Sequence, residues 1–255
     1  QNISSKDIEK KITKKTKAIQ VVPLYGLPCE YDEINKIAKK HNLIVINDAA
    51  ETIGASYKGK TIAECADISS FSFENSKHIT TGDGGMLTTD NSDFAKEFRA
   101  FASLGSSSVR SGDGRIRDAK NPKSKDKFQD PKYSRCDSYG LNYRMPEVAA
   151  AVGLAQLERL DFFINLRKKI GAAYQQVCSN YKILIPQRID ENYISSYWTF
   201  AAVLADDKID WYDFRRKYIE YGGDGIFACW KLSYNEPFIK NEKWRKICPP
   251  LYKNL

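Results

Sequence analysis

The chain is 255 residues long, 42% apolar and 28% charged, with a formal net charge of +8. That is enough apolar material for one large domain or two smaller ones, and no apolar run reaches the roughly 18 residues that a helix needs to span a bilayer. The polar, Lys-rich residues 1–17 lack the apolar stretch of a secretory signal, so no membrane partner and a cytoplasmic location are expected.

Taken in order, Ser4 or Ser5 is placed to cap a helix running to Lys15, and residues 18–23 form an apolar run of strand length. Asp32 opens a second helix, in which Ile34, Ile37, Ala38 and His41 fall on one face. Leu43, Ile44, Val45 and Ile46 are uniformly apolar, as in a strand covered on both faces. Strand, helix, strand is the rhythm of an α/β sheet. A third strand is expected over residues 67–73, a break at Gly84 and Gly85, and a fourth strand over 86–89. A helix over 92–103 is closed by Gly105. Pro146 suits the first turn of another helix, with Val148, Val152, Ala155, Leu157 and Leu160 supplying apolar contacts. A further helix follows over 161–181. Apolar runs at 183–185 and 197–204 and a helix near 211–221 then make a smaller α+β domain. The expected division is a large α/β domain over 1–160 and a small C-terminal domain over 161–255.

The six cysteines, Cys29, Cys65, Cys136, Cys178, Cys229 and Cys248, stand singly, and only His41 and His78 could join them. Without a C-x-x-C pair they read as reduced structural thiols, and no metal site is expected. Part of the positive excess falls in residues 110–135, rich in Ser, Gly, Lys and Asp, which read as a solvated loop. No nucleic-acid fold signature accompanies it, so no nucleic-acid partner is expected, whereas an anionic small substrate would suit the basic surface.

Ligands of a parallel α/β sheet collect at the carboxyl ends of its strands. Asp48, just past a buried strand in the run Asn47, Asp48, Ala49, Ala50, Glu51, is a carboxylate at that rim and needs a cation or several donors; a helix-capping aspartate is the alternative. Lys77 follows the strand ending Phe71, Ser72, Phe73, and a partly desolvated lysine there can attack a carbonyl. An ordinary surface lysine is the alternative for Lys77. Gly82, Asp83, Gly84 and Gly85 make a tight turn that lacks the P-loop pattern.

Together these segments, with Pro23, Leu24, Tyr25 and Gly26 before them, resemble the sugar aminotransferases of the DegT/StrS type. Gly140, Leu141, Asn142, Tyr143, Arg144 and Met145, followed by Ala149 to Ala151 and by Gln156 and Leu157, match that family's next block. The resemblance implies the fold type I architecture of pyridoxal-phosphate enzymes, a mostly parallel sheet flanked by helices plus a smaller C-terminal α+β domain, assembled as homodimers with shared active sites. It casts Lys77 as the Schiff-base lysine, Asp48 as the partner of the pyridinium nitrogen and Glu51 as a residue facing the cofactor ring. Ser72 matches a phosphate contact, and Asn142 an asparagine lent to the phosphate by the neighbouring subunit. His78, Tyr143 and Arg144 are assigned to the substrate.

The function implied is transfer of an amino group, with glutamate as donor, to a nucleotide-linked keto sugar for surface polysaccharide or related glycan synthesis. Family members that instead dehydrate the sugar carry His at the lysine position, so Lys77 favours aminotransfer. A non-catalytic relative acting as regulator or binding protein is a further alternative, disfavoured by the intact pair of Asp48 and Lys77. Pro23 and Asp83 depart from the family's common His and Glu. The family's phosphate-binding Gly-Thr turn and stacking aromatic lie upstream of the first motif, so the sequence reads as a fragment lacking both ends.

Overall fold

A computed structural model of the protein describes residues 2–106, 130–132, 134–240 and 246. Most of the 110–135 loop expected from the sequence lies outside these residues. The chain forms two compact units, Gln1–Val203 and Leu204–Leu255.

The first unit is built on a four-stranded sheet in the order β1 (Ala18–Val21), β2 (Ile44–Asp48), β5 (Ile68–Ser72) and β6 (Gly85–Thr88). The first three strands are parallel, with Ala18 opposite Ile44 and Asp48 opposite Ser70, and β6 runs antiparallel to β5. Helices α1 (Ser5–Lys11) and α2 (Tyr31–Lys40) share a core with one face of the sheet, in which Ile8, Val21, Ile34, Ala38 and Val45 are buried. On β2 only Val45 and Asn47 are fully buried while Ile44, Ile46 and Asp48 are partly so, a one-sided cover where the apolar run predicts two. Asn47 is tolerated inside because Tyr31 donates its hydroxyl hydrogen to Oδ1 at 2.9 Å and Nδ2 reaches Ile62 O and Ser69 Oγ at 3.4 Å.

Helix α1 stops at Lys11 rather than Lys15. Thr13 and Thr16 take backbone N–H groups into local turns, Thr13 N donating to Thr16 Oγ1 at 2.9 Å and Lys15 N to Thr13 Oγ1 at 3.2 Å, in competition with the helix. His41, expected on the buried face of α2, is its C-terminal cap and pairs with Glu9 at 2.8 Å.

A second sheet has no clear mark in the sequence: β3 (Ser56–Tyr57) and β4 (Lys60–Thr61) form a hairpin, and β8 (Tyr193–Ile194) joins β3. Lys58 and Gly59 both have positive φ, at 50° and 80°, as a two-residue hairpin turn requires.

Helix α3 (Ser92–Phe101) is capped by Asn91, whose Oδ1 accepts from the N–H groups of Asp93 and Phe94. Helices α4 (Glu147–Leu157) and α5 (Leu160–Asn180) follow. Val148, Val152 and Leu157 of α4, expected to make apolar contacts, are exposed among the described residues. A helix apolar on all sides calls for cover on all sides.

Strand β7 (Leu184–Pro186) pairs with β9 (Ala202–Leu204). The strand expected from 197 is shorter because Tyr197 adopts φ 47° and Ser195 to Trp198 are engaged elsewhere. Strand β8 is tied to the first unit, since it pairs with β3 and Ser196 N donates to Gly26 O at 3.0 Å. In the second unit, Asp210 caps α6 (Trp211–Glu220) through the N–H groups of Tyr212 and Asp213. A short helix α7 (Pro237–Lys240) follows.

Candidate active site

Asp48 ends β2 and Ser72 ends the neighbouring parallel strand β5, so both stand at the carboxyl rim of the sheet. Asp48 is partly buried, and its Oδ1 accepts from Ala50 N at 3.2 Å. No helix begins there, which removes the helix-cap alternative: the chain turns at 49–54 and the carboxylate is held beside the strand end. Ser72 Oγ accepts from Glu74 N at 3.3 Å, starting a turn in which Glu74 Oε2 takes the N–H and hydroxyl of Ser76 at 2.9 and 2.6 Å. That turn delivers Lys77, whose N–H closes on Glu74 O at 3.1 Å.

Lys77 is half-buried, and its Nζ stands 4.3 Å from the centre of the Trp198 ring. A cation over an indole is worth about 0.5–2 kcal/mol, the larger figure when desolvated. The Trp198 indole N–H in turn donates to Ser76 O at 2.9 Å. Arg167 on α5 donates from Nη1 to Trp198 O at 2.7 Å.

Glu51 is partly buried and accepts the Tyr25 N–H on Oε2 at 2.7 Å. It thereby holds Tyr25 in a left-handed conformation, φ 63°, that a side chain other than glycine adopts at a cost.

His78, assigned to the substrate from sequence, is placed inside the protein instead, at 4% exposure. Its Nε2 donates to Ser196 O at 3.1 Å, which leaves Nδ1 unprotonated. Nδ1 and Ser196 Oγ are both buried without a hydrogen-bond partner among the described residues. Burial pushes the imidazole down to about 4, against the opposing pull of the bond to Ser196, so the ring is neutral near pH 7. The buried ring ties the lysine turn to the segment around Ser196.

Asn142, Tyr143 and Arg144 are exposed on a stretch fastened to the end of α3. Asn142 bridges Ser103, Tyr143 N donates to Ala102 O at 3.0 Å, and the Tyr143 ring stands edge-on to Phe101 at 6.2 Å. The structure thus places Asp48 and Ser72 at the ends of neighbouring strands with Lys77 in the turn after the second, and presents Asn142, Tyr143 and Arg144 outward. Trp198 and Arg167 had no mark in the sequence, since they reach the lysine turn only through tertiary contact.

Among the described residues no cluster of His, Cys, Asp and Glu could hold a metal ion, and no helix is long and apolar enough to cross a membrane.

The carboxylate of Asp48 stands at the end of β2 and the turn bearing Lys77 follows the adjacent strand β5, the region where ligands of parallel α/β sheets collect. The chain belongs to the DegT/DnrJ/EryC1/StrS aminotransferase family, whose family model matches residues 1–240. It is 39% identical over 175 residues to GDP-perosamine synthase of Caulobacter vibrioides, a match covering 69% of this chain and 41% of that protein. Among solved structures, the aminotransferase from Psychrobacter cryohalolentis superimposes with a TM-score of 0.78 at 26% identity, covering 96% of this chain and 62% of that one. An E. coli GDP-4-keto-6-deoxy-D-mannose-3-dehydratase with bound hydrated PLP gives 0.74 at 25% identity, covering 96% and 60%. The chain therefore spans less than half the length of the perosamine synthase and about three-fifths of the solved structures.

Proposed function

We propose that the protein containing this chain is a pyridoxal-phosphate-dependent aminotransferase that converts a nucleotide-linked keto sugar to an amino sugar, with glutamate as donor. The observation that carries this reading is the placement of Asp48 at the carboxyl end of β2 with the turn that bears Lys77 following the adjacent parallel strand β5. A GDP-linked sugar is the first acceptor to try, because the GDP-perosamine synthase of Caulobacter vibrioides is 39% identical over 69% of this chain. Surface polysaccharide or a related glycan is the expected destination of the product, and the cytoplasm the expected compartment.

The side chains present suit the cofactor. Among the described residues Asp48 has one hydrogen bond, on Oδ1, which leaves Oδ2 for the N–H of a protonated ring nitrogen. Lys77 brings a primary amine for the aldehyde, and Ser72 a hydroxyl for the phosphate. Glu51 lies one turn beyond Asp48, where it can face the ring. When bound, pyridoxal phosphate supplies an electron sink for the carbanion formed at the donor carbon. Asp48 would hold the proton on the ring nitrogen of the bound cofactor. With the cofactor bound, the amine of Lys77 would serve as the general acid and base that moves a proton at the donor carbon. Glutamate and the keto sugar use this one site in turn.

Residues 1–160 form the cofactor-binding domain in this reading and 161–255 the smaller domain. The active unit is a homodimer in which Asn142 of one subunit completes the phosphate site of the other, with Tyr143 and Arg144 beside it toward the substrate. The outward presentation of all three supports this. A 3-dehydratase reading has support from the solved E. coli structure, but the amine of Lys77 favours transamination.

The test is borohydride reduction of the full-length protein with pyridoxal phosphate, followed by peptide mapping and by a screen of nucleotide keto sugars with glutamate read by mass. A pyridoxyl group on Lys77 and a product bearing nitrogen in place of the keto oxygen are expected. A protein that takes up no cofactor under these conditions would not be an aminotransferase.

A further inference from the structure

The segment Ser195 to Trp198 is fastened at four points. Ser196 N donates to Gly26 O at 3.0 Å, His78 Nε2 donates to Ser196 O at 3.1 Å, Arg167 donates to Trp198 O at 2.7 Å, and Trp198 Nε1 donates to Ser76 O at 2.9 Å. Two of these partners, Ser76 and His78, flank Lys77. The backbone end of Trp198 is therefore held by α5 and its ring end by the lysine turn. With both ends fixed, the indole face lies 4.3 Å from Lys77 Nζ.

A lysine is a point charge on a flexible four-carbon stem, and at a half-exposed rim it would sweep through many rotamers. A fixed aromatic face removes much of that freedom, because it offers the ammonium one favourable resting place. Packing alone would not require this partly exposed indole to bond the residue before the lysine through its N–H and to turn its face to the lysine's charge.

We propose that Trp198 is a positioning residue for Lys77: its indole face holds the cationic Nζ at the sheet rim whenever that nitrogen is not covalently engaged. A lysine released by an incoming amine would be returned, once protonated, to this one place. The catalytic consequence rests on the role proposed for Lys77, whereas the contact itself is independent of that role.

The test measures the accessibility of Lys77 without cofactor. Full-length wild type, Trp198→Phe, Trp198→Leu and Trp198→Met are labelled briefly with an isotopic amine acylating reagent, and labelling of Lys77 is compared by mass with that of Lys58 and Lys96. Leu and Met keep apolar volume but lack a ring, and the flexible Met covers a failure of the Leu variant to fold. Lys77 is expected to be acylated about fivefold faster in the ringless variants, with Phe within about twofold of wild type, as loss or retention of a cation–π contact implies. In the loaded enzyme the ringless variants should lose kcat with little change in the KM for glutamate. Equal labelling of Lys77 in all four proteins would overturn the proposal, and so would a rise shared by Lys58 and Lys96, which would mean general loosening. If labelling follows expectation but borohydride fixes pyridoxal phosphate to another lysine, the role of Lys77 falls and takes the catalytic role of Trp198 with it.

Discussion

Gly26 and Tyr197 approach so closely that a Cβ on Gly26 would stand 2.6 Å from the Tyr197 amide nitrogen, and 2.7 Å from that of Trp198. Both obstacles are backbone, so neither can swing aside. Gly26 also has φ +94°, in the region that favours glycine. Gly26→Ala should therefore cost about 2–4 kcal/mol, strain and overlap combined. Gly59→Ala is the control, because it has φ +80° but nothing within 4 Å. Thermal unfolding of the two variants should show the larger loss at Gly26. Equal losses would mean that close approach at Gly26 does not matter.

His78 should make stability fall with acid. Its folded value, about 4, lies below the ordinary 6.5 because burial disfavours the charged ring. The unfolded chain therefore binds a proton first as pH drops. Stability from this group is complete above pH ~6.5, declines from there to pH ~4, and is lost below, a total of roughly 3 kcal/mol. Urea titrations between pH 4 and 7.5 should show that slope, and His78→Gln should flatten it. An unchanged slope in the variant would place the acid sensitivity elsewhere.

The cysteines should divide by burial. Cys29 and Cys65 are buried and their thiols are pushed up to about 12 and about 11, burial being the main cause in each. Cys178 is buried and raised as well. The thiolate is the reactive form, so these three should resist alkylation at pH 8 while exposed Cys136 and Cys229 react. Mass mapping of native protein after a short iodoacetamide pulse checks this. Rapid labelling of Cys29 would contradict the packing around β1 and α2.

Asp48→Asn preserves shape and removes the charge that keeps the ring nitrogen protonated. Turnover should drop at least about a hundredfold, near 2.7 kcal/mol of barrier, while cofactor uptake at Lys77 persists. A variant that keeps more than about a tenth of its activity, a loss under ~1.4 kcal/mol, would remove Asp48 from the electron-sink role.

The proposed sharing of sites between subunits predicts complementation. Lys77→Ala and Asn142→Ala should each be nearly inactive alone, yet mixed dimers should regain one intact site. Activity after subunit exchange, with exchange verified by mass, checks this. No recovery would argue for a site built from a single chain.

The strands and helices that carry the rim were legible in the sequence for local reasons. An uninterrupted apolar run such as Leu43 to Ile46 suits a strand, the spacing of Ile34, Ile37 and Ala38 suits a helix face, and polar residues directly after a strand lie at its end. Asp48 and Lys77 could be singled out because strand ends can be counted along the chain, whereas Ser72 was named only through the family resemblance. The α1 terminus was not legible, since it depends on which hydroxyl of Thr13 or Thr16 captures which N–H. The burial of His78 was hidden too: next to Lys77 it reads as a rim residue, and only the arrival of Ser196, more than a hundred positions away, encloses it. Trp198 shows the same limit. Sequence determines that an indole exists at that position, while its distance from the lysine is set by Gly26, Ser76, His78 and Arg167, whose contacts form only when distant segments pack.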